Sequence, residues 1–526
     1  MNRSQPKVSL IASLAGFALT VGLGSFVVPL SARAQGPPSP SPQQHTLATQ
    51  LPLSGRGGPS GSVTAVETPI AGTTNSVTTI NPSVQVQGSY AGSSPSTAAM
   101  PFSGKLSLRD AIQRGLNYNL GAAGLNHAAR QAQGQAQIAR SSLLPNVSGY
   151  LAENINQVNL AAEGFRIHIP IPGFDFPTIV GPYNNIDLRG SVSQSVFDLT
   201  AINNYRSSNE TFRAAQLTAR DARDAVVLAV CGGYLQVLAT AERVASAHAQ
   251  LDTAAALHKQ TLQERQVGVA PQIDVDRSEV EELTQQQRVT SLETELAKEK
   301  IALARMTGLP PGADYELTDA VPFAAAPALD LDTAIHQALA QRSDIKAAEA
   351  QLRAAEHTLT AARDERLPSL TVNGNYGSIG TNPAQASATF SAAATLNIPI
   401  WQGGRTEGDI HQAEAALAQR QAELDDLKGQ VESDVRNAFL DLQAATSQVK
   451  VAERNLQVTR ETLDLTRQRF DAGVTDNVEV VQAQESLTSA ELDQINSVFA
   501  HNVAKLSLAR AVASAADNLQ QFLNLK

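Results

Sequence analysis

The stretch LSLRDAIQRGLNYN, starting at Leu106, returns 223 positions later as LDLDTAIHQALAQR, starting at Leu329. Leu108 falls on Leu331, Ala111–Ile112 on Ala334–Ile335, and Leu116 on Leu339; Leu144–Pro145 falls on Leu367–Pro368 in the same register. SQSVFD at 193–198 then matches NIPIWQ at 397–402, and QVGVAPQIDV at 266–275 matches DAGVTDNVEV at 471–480. Order and content both repeat, which marks an internal duplication rather than shared low complexity.

Each half reads as one series of elements. Helical periodicity predicts a first helix over 107–143 and over 333–366. Alternation predicts two strands in each half, 147–158 with 186–197 and 369–379 with 388–400. A very long helix follows, near 199–266 and 403–471, then a turn carrying Gly268 or Gly473, then a shorter helix over 273–307 or 477–515. Pro310–Pro311–Gly312 closes the first copy. A helix of about 70 residues spans roughly 105 Å, and two half-length helices end to end span about the same, so each long rod can lie beside a stacked pair.

The long helix shows what it packs against. From Val431 one seam carries Val431, Ala438, Ala445, Ala452, Thr459 and Thr466; the other carries Val435, Leu442, Val449, Leu456, Leu463 and Phe470. This 3–4 spacing, with one small and one large layer, permits close helix approach. An ordinary coiled coil has the same periodicity, so the strands decide. Over 388–400, Phe390, Ala392, Ala394, Leu396, Ile398 and Ile400 share one face, while Thr389, Ser391, Thr395 and Asn397 take the other. Ile186, Leu188, Val192 and Val196 likewise oppose Asp187, Arg189, Ser191 and Ser193. Strands of this length and alternation, with Phe197 and Trp401 at matching ends as interfacial anchors, fit a transmembrane barrel. A small soluble sheet capping a coiled coil is the rival. Four strands cannot close a barrel alone, and an open edge is not tolerated in lipid, so copies must combine; two would supply eight strands and three would supply twelve.

Composition narrows the class. Aromatics are 4% and charged residues 17%, which suits helices packed through small side chains better than a compact enzyme core. The net charge of −10 argues against nucleic acid as a partner. The single Cys231 excludes an intramolecular disulfide and reads as a small buried apolar residue. Arg3 and Lys7 precede an apolar run ending in SARAQ, a signal peptide over 1–34 with cleavage between Ala34 and Gln35; a retained anchor is the alternative. Residues 35–104, rich in Pro, Ser and Gly, read as a disordered leader. Two channel repeats over 105–311 and 329–515, a linker over 312–328 and a tail over 516–526 complete the layout.

These elements resemble the TolC-like outer-membrane efflux channel family, the outer membrane factors. The carriers are the paired LSLRDAI and LDLDTAI openings, the paired Leu-Pro strand entries, IPIWQGGR at 398–405 and RFDAGVTDNVEVVQAQESL from Arg469. The resemblance implies an α + β membrane protein with a long α-helical coiled-coil tunnel and four transmembrane strands per chain, completing a 12-stranded β-barrel as a homotrimer. It implies a passive conduit of a tripartite efflux or type I secretion system, docked onto a periplasmic adaptor (membrane fusion) protein and an inner-membrane pump of RND or ABC type, with outer-membrane lipid around the barrel. It puts Glu479, and Asp274 in the first repeat, in an acidic constriction at the tunnel mouth. The second acidic position of that pattern is Gln482 here, and Arg277 in the first repeat, so a double acidic ring is in doubt. A solvated acid favoured by the helix dipole accounts for Glu479 equally well. The turns Val267-Gly268-Val269 and Ala472-Gly473-Val474 resemble the adaptor-contact loops, and Gly also suits the positive φ of a helix end.

Residues 159–185 form a Pro-rich connection about twenty residues longer than its counterpart, expected outside the cell. The sequence shows no phosphate-binding glycine loop, H-E-x-x-H or G-x-S-x-G, and its histidines are scattered, so neither an enzyme nor a cofactor or metal site is expected. The rival class is a soluble periplasmic coiled-coil adaptor or structural protein.

Overall fold

A computed structural model describes residues 62–70, 79–94, 101–162, 164, 178–320, 323–325, 329–472, 474–475 and 477–513. The expected signal peptide with Ala34 and Gln35, residues 165–177 of the long connection, Gly473 and the tail 516–526 lie outside the described residues.

In chain order the elements are β1 (Val63–Ile70), β2 (Thr79–Val86), β3 (Lys105–Leu106), α1 (Leu108–Tyr118), α2 (Leu120–Ser141), β4 (Asn146–Asn159) and β5 (Ile179–Phe197). Then come α3 (Leu199–Gln266), α4 (Gln272–Thr307), β6 (Glu316–Leu317), α5 (Leu331–Gln341), α6 (Ser343–Asp364), β7 (Ser369–Gly380), β8 (Ser387–Asn397), α7 (Arg405–Asp471) and α8 (Asn477–Ala511). The duplicated openings are helix N-caps at equivalent places: Ser107 Oγ accepts from Asp110 N–H, and Asp330 from Thr333 N–H.

The first helix of each repeat, expected as one rod, is two. The chain breaks at Asn119 in one copy and at the matching Arg342 in the other, with nearly the same backbone angles, φ −61°, ψ 130° and φ −57°, ψ 131°. Periodicity continues through both breaks, so it does not reveal them. Asn119 is fully buried; its Oδ1 accepts from Gly121 N–H at 2.9 Å and caps α2, while its Nδ2 donates to Tyr90 O at 2.7 Å. Arg342 instead forks onto Asp344 at 2.7 Å and reaches Asp434 on α7 at 3.3 Å.

Over residues 62–70 and 79–94, Asn119's partner corrects the reading of 35–104 as a disordered leader; residues 35–61, 71–78 and 95–100 lie outside the described residues. β1 and β2 form an antiparallel hairpin, and β2 lies against α3 and α8, with Val84 seated over Gly232. Tyr90 is buried, Leu120 N–H donates to Gly92 O at 2.9 Å, and Ser94 N–H donates to Tyr118 O at 2.8 Å. Low apolar content hid this because the leader borrows its core from the helices. The linker 312–328 is also tied in: β6 pairs in parallel with β3, and Leu108 N–H donates to Asp319 Oδ2 at 2.6 Å.

α3 and α7 have 68 and 67 residues, so each runs roughly 100 Å. Nearer the strands the helices lie in the order α2–α3–α6–α7; at the far end the order is α4–α3–α8–α7. Thus α3 is internal throughout and α7 lies along one lateral edge. The α7 seams hold: Val431, Val435 and Val449 are fully buried, and Leu456, Leu463 and Thr466 are buried. The largest core sits at mid-length, where Val226, Val230, Cys231 and Tyr234 of α3 meet Leu106, Leu108 and Leu303. Burial pushes the Cys231 thiol up and keeps it inert.

β4–β5–β7–β8 form one antiparallel sheet with β4 and β8 at its edges. β8 ends at Asn397, short of the expected residue 400, because Pro399 lacks a ladder N–H. Trp401 therefore lies beyond the strand and is 86% exposed, whereas Phe197 is the last residue of β5.

On α8, buried His501 and Lys505 both face Ala324 O in the linker, at 3.1 and 2.7 Å. Burial lowers the Lys505 ammonium to about 8. A lysine depressed on folding binds fewer protons than the unfolded chain does, so its contribution makes stability rise with pH between about 8 and the ordinary lysine value of about 10.4.

Two outcomes follow. Asn119→Ala should cost about 1–3 kcal/mol, by losing a cap and orphaning Tyr90 O, and should expose residues 62–94 to protease in limited digestion. Lys505→Met should raise Tm in detergent at pH 7, with the advantage over the parent shrinking towards pH 10.

Candidate functional site

The structure assembles two regions able to act on a passing solute: the sheet at one end and the helix turns at the other. On the sheet, Ser148, Ser191, Asn375 and Ser391 fall in register across all four strands. Ser148 and Ser191 share a hydrogen bond of 2.7 Å, Asn375 Nδ2 donates to Ser391 Oγ at 2.7 Å, and Ser193 Oγ donates to Asn373 Oδ1 at 2.7 Å. Asp187, buried on this same face, accepts from Arg189 Nε at 2.6 Å. The opposite face presents Val147, Leu151, Leu188, Tyr376, Phe390 and Leu396, each more than half exposed in the single chain. A sheet that satisfies its polar face by cross-strand pairing and bares its apolar face suits water on one side and hydrocarbon on the other.

At the far end the turns of both repeats share one backbone hydrogen bond among the described residues. Gly268 takes φ +81°, and Val269 N–H donates back to Glu264 O at 2.8 Å; in the second copy Val474 N–H donates to Arg469 O at 2.9 Å. Val267, Val269 and Val474 are strongly exposed, and Ala472 is exposed. Below the turns, Thr261 and Ser278 share a buried hydrogen bond of 2.7 Å between α3 and α4, and Leu463, Val480 and Ala483 join α7 to α8.

Asp274 and Glu479 sit in the first turns of α4 and α8, each just before a buried valine, Val275 or Val480. One residue turns a helix by about 100°, so each acid projects away from its hairpin's core. Asp274 pairs with Arg277 at 3.6 Å, and Glu479 with Arg469 at 3.3 Å. The sequence reading brought Asp274 and Arg277 together but missed Arg469. Its available signal was position: it stands in the last turn of α7, across a short turn from Glu479. Gln482 is exposed one turn further along α8. Among the described residues, no group of three or more His, Cys, Asp or Glu side chains is placed to hold a metal ion.

This architecture is a known one. The outer membrane efflux protein family model matches residues 112–309 and 334–516, which covers both repeats. The pyoverdine export outer membrane protein OpmQ of Pseudomonas putida is 26% identical over 64% of this chain and 68% of its own length. The outer membrane protein TolC of Vibrio cholerae is 22% identical over 72% of this chain and 83% of its own. The crystal structure of the CmeC outer membrane channel of Campylobacter jejuni superposes with a TM-score of 0.68 at 16% identity, covering 80% of this chain and 90% of that one.

The chain belongs to the outer membrane efflux protein family. It is an outer-membrane channel for efflux with a large periplasmic tunnel, and the soluble adaptor alternative is not favoured. Members of this family act as trimeric channels in tripartite efflux systems; they are conduits rather than enzymes.

Because Glu479 pairs with Arg469, the substitutions Arg469→Ala and Glu479→Ala should act in opposite directions on any pore that the pair lines. Arg469→Ala removes the cation 3.3 Å from Glu479 and should strengthen cation preference in planar-bilayer recordings. Glu479→Ala leaves a bare guanidinium and should weaken it or raise conductance. Both effects should fade near 1 M salt, where the Debye length is about 3 Å. Unchanged recordings for both variants would remove Glu479 from the pore.

Proposed function

We propose that three copies of this chain close a twelve-stranded barrel in outer-membrane lipid and continue it as a helical tunnel across the periplasm. The observation that carries this reading is the sheet: four strands, one apolar face and two unpaired edges, a form that lipid accepts only when the edges are sealed. Twelve strands also leave a wider lumen than eight. Phe197 and Trp401 stand where the strands meet the helices and anchor the barrel at the interface. Signal cleavage between Ala34 and Gln35 delivers the chain to the periplasm.

Asp274 and Glu479, each tempered by its arginine, form the constriction at the tunnel mouth, with Arg277 and Gln482 at its second level. The exposed turns Val267-Gly268-Val269 and Ala472-Gly473-Val474 dock a periplasmic adaptor, which couples the channel to an inner-membrane pump of RND or ABC type. Their apolar side chains offer contact surface to a partner. The energy for export comes from that pump; the channel supplies a path, a width and a charge. The passenger is a small molecule or protein handed over at the mouth.

The docking reading predicts that Val269→Glu combined with Val474→Glu leaves heat-modifiable trimers and conductance intact while cutting co-purification of the crosslinked adaptor at least tenfold. Undiminished recovery would move the contact off the turns.

A further inference from the structure

The four strands of the sheet are almost free of charge. Between them β4, β5, β7 and β8 carry three charged side chains, Glu153, Asp187 and Arg189. Glu153 faces Ile186 across the β4–β5 ladder, which puts it on the apolar face with Leu151 and Leu188. Among the described residues of the sheet, Asp187 and Arg189 are therefore the only charges on the polar face. Both stand at the end away from the helices: Arg189 pairs with Gly377 and Asp187 with Ile379, and β7 ends at Gly380. One row nearer the helices, Ser148 and Ser191 bond to each other, as do Asn375 and Ser391. The wall below the charged pair is thus neutral and already hydrogen-bonded.

An ion pair has no net charge, so its effect on a solute depends on which partner the solute meets. Residues two apart on a strand share a face, which sets Asp187 and Arg189 side by side on β5. Arg189 Nε donates to Asp187 Oδ1 at 2.6 Å, and Nη2 donates to Oδ2, so both carboxylate oxygens are engaged. The Asp187 side chain is only 10% exposed, whereas that of Arg189 is 35% exposed. The carboxylate is covered and the guanidinium lies above it, with its Nη1 edge not engaged by Asp187. The neighbouring strands build this asymmetry. A Cβ at Gly377 would strike Arg189 Cγ and the Leu188 carbonyl, so glycine leaves the space across which the arginine lies. Tyr150 on β4 stands directly opposite Arg189 on the other side. β5 has a strand of its own chain on each side, so the arrangement is complete within one copy.

We propose that Arg189, braced by Asp187, is a specificity-determining residue at the outer end of the lumen, where it presents positive charge and favours anionic groups on the solute, carboxylates and phosphates. This rests on the reading that the polar face lines the pore, and it adds the sign of the charge met there. A guanidinium fixed through two parallel hydrogen bonds loses little further freedom when its other edge meets an oxyanion, and its planar fork matches such a group. Asp187 has two effects. It holds the fork against the wall, and it tempers the field, so that an anion is favoured near the wall without being held there. A pore that binds its passenger too tightly does not release it.

A cysteine beside the pair reads the local potential without involving the tunnel mouth. Tyr150 faces Arg189 and is 54% exposed, so Tyr150→Cys sets a thiol about 4.5–5.5 Å from Arg189 Cβ. Cys231 is buried and stays silent. The full-length protein in outer membranes is labelled with anionic sulfonatoethyl or cationic trimethylammonioethyl methanethiosulfonate, each rate being divided by that of 2-mercaptoethanol. At about 0.01 M salt, where the Debye length is about 30 Å, the anionic-to-cationic ratio should exceed one, by about twofold to threefold. Adding Asp187→Asn should raise it about threefold more, adding Arg189→Gln should bring it below one, and both together should return it to about one. Arg189→Lys, which keeps the charge and loses the fork, should stay above one. Heat-modifiable trimers in each variant separate a change of charge from a failure to fold. A ratio that does not move with Arg189→Gln, or that falls with Asp187→Asn, overturns the charge assignment and leaves the channel reading intact. Leu151→Cys, on the opposite face, should react with neither reagent. If it is labelled while Tyr150→Cys is not, the polar face does not line the pore and both readings fall.

Discussion

The structure turns on the hydrogen-bonding needs of two strand edges. In water, a bare edge of N–H and C=O groups is solvated; in hydrocarbon it has no partner, and each unmet group costs several kcal/mol. β4 and β8 carry such edges. Everything that brings copies together follows from that need, and the helices beneath are spaced to allow it. Nearest the sheet the helices keep the strand order, α2–α3–α6–α7 against β4–β5–β7–β8.

The tunnel wall achieves close packing by alternating layers of small and large side chains rather than by bulk. Val431, Ala438, Ala445 and Ala452 form the small layer of α7, and Val435, Leu442, Val449 and Leu456 the large one. With few aromatics, the wall is thin, and a single helix can meet neighbours on opposite faces. α3 does so within the chain. Beside the turns, Asp274 and Glu479 each pair with an arginine, which reduces the charge that either carboxylate presents to its surroundings.

Much of this was legible in residue order. The duplication, the four strands and their faces, the α7 seams and the position of the turns follow from periodicities of 2 and 3.6 and from repeated motifs. The breaks at Asn119 and Arg342 were not legible, because neither residue interrupts an apolar pattern. Asn119 ends a helix by bonding to Tyr90 O, and Arg342 by bonding to Asp344 and Asp434; two of those partners are distant in sequence. The leader escaped notice for the same reason: half-buried Val84 packs on Gly232 of α3, and buried Tyr90 packs on Gly121 of α2. Asp274 and Glu479 were marked by the family resemblance, but the Arg469 partner needed the hairpin to close.

The sequence by itself determined which elements form, how often, and which face of each is apolar, since these depend on side-chain alternation along a local backbone. Only the tertiary structure decided where the first helices break, that part of the leader belongs to the core, and that Glu479 meets Arg469. Those outcomes depend on hydrogen bonds and contacts between groups that chain order keeps apart and packing brings within a few ångströms.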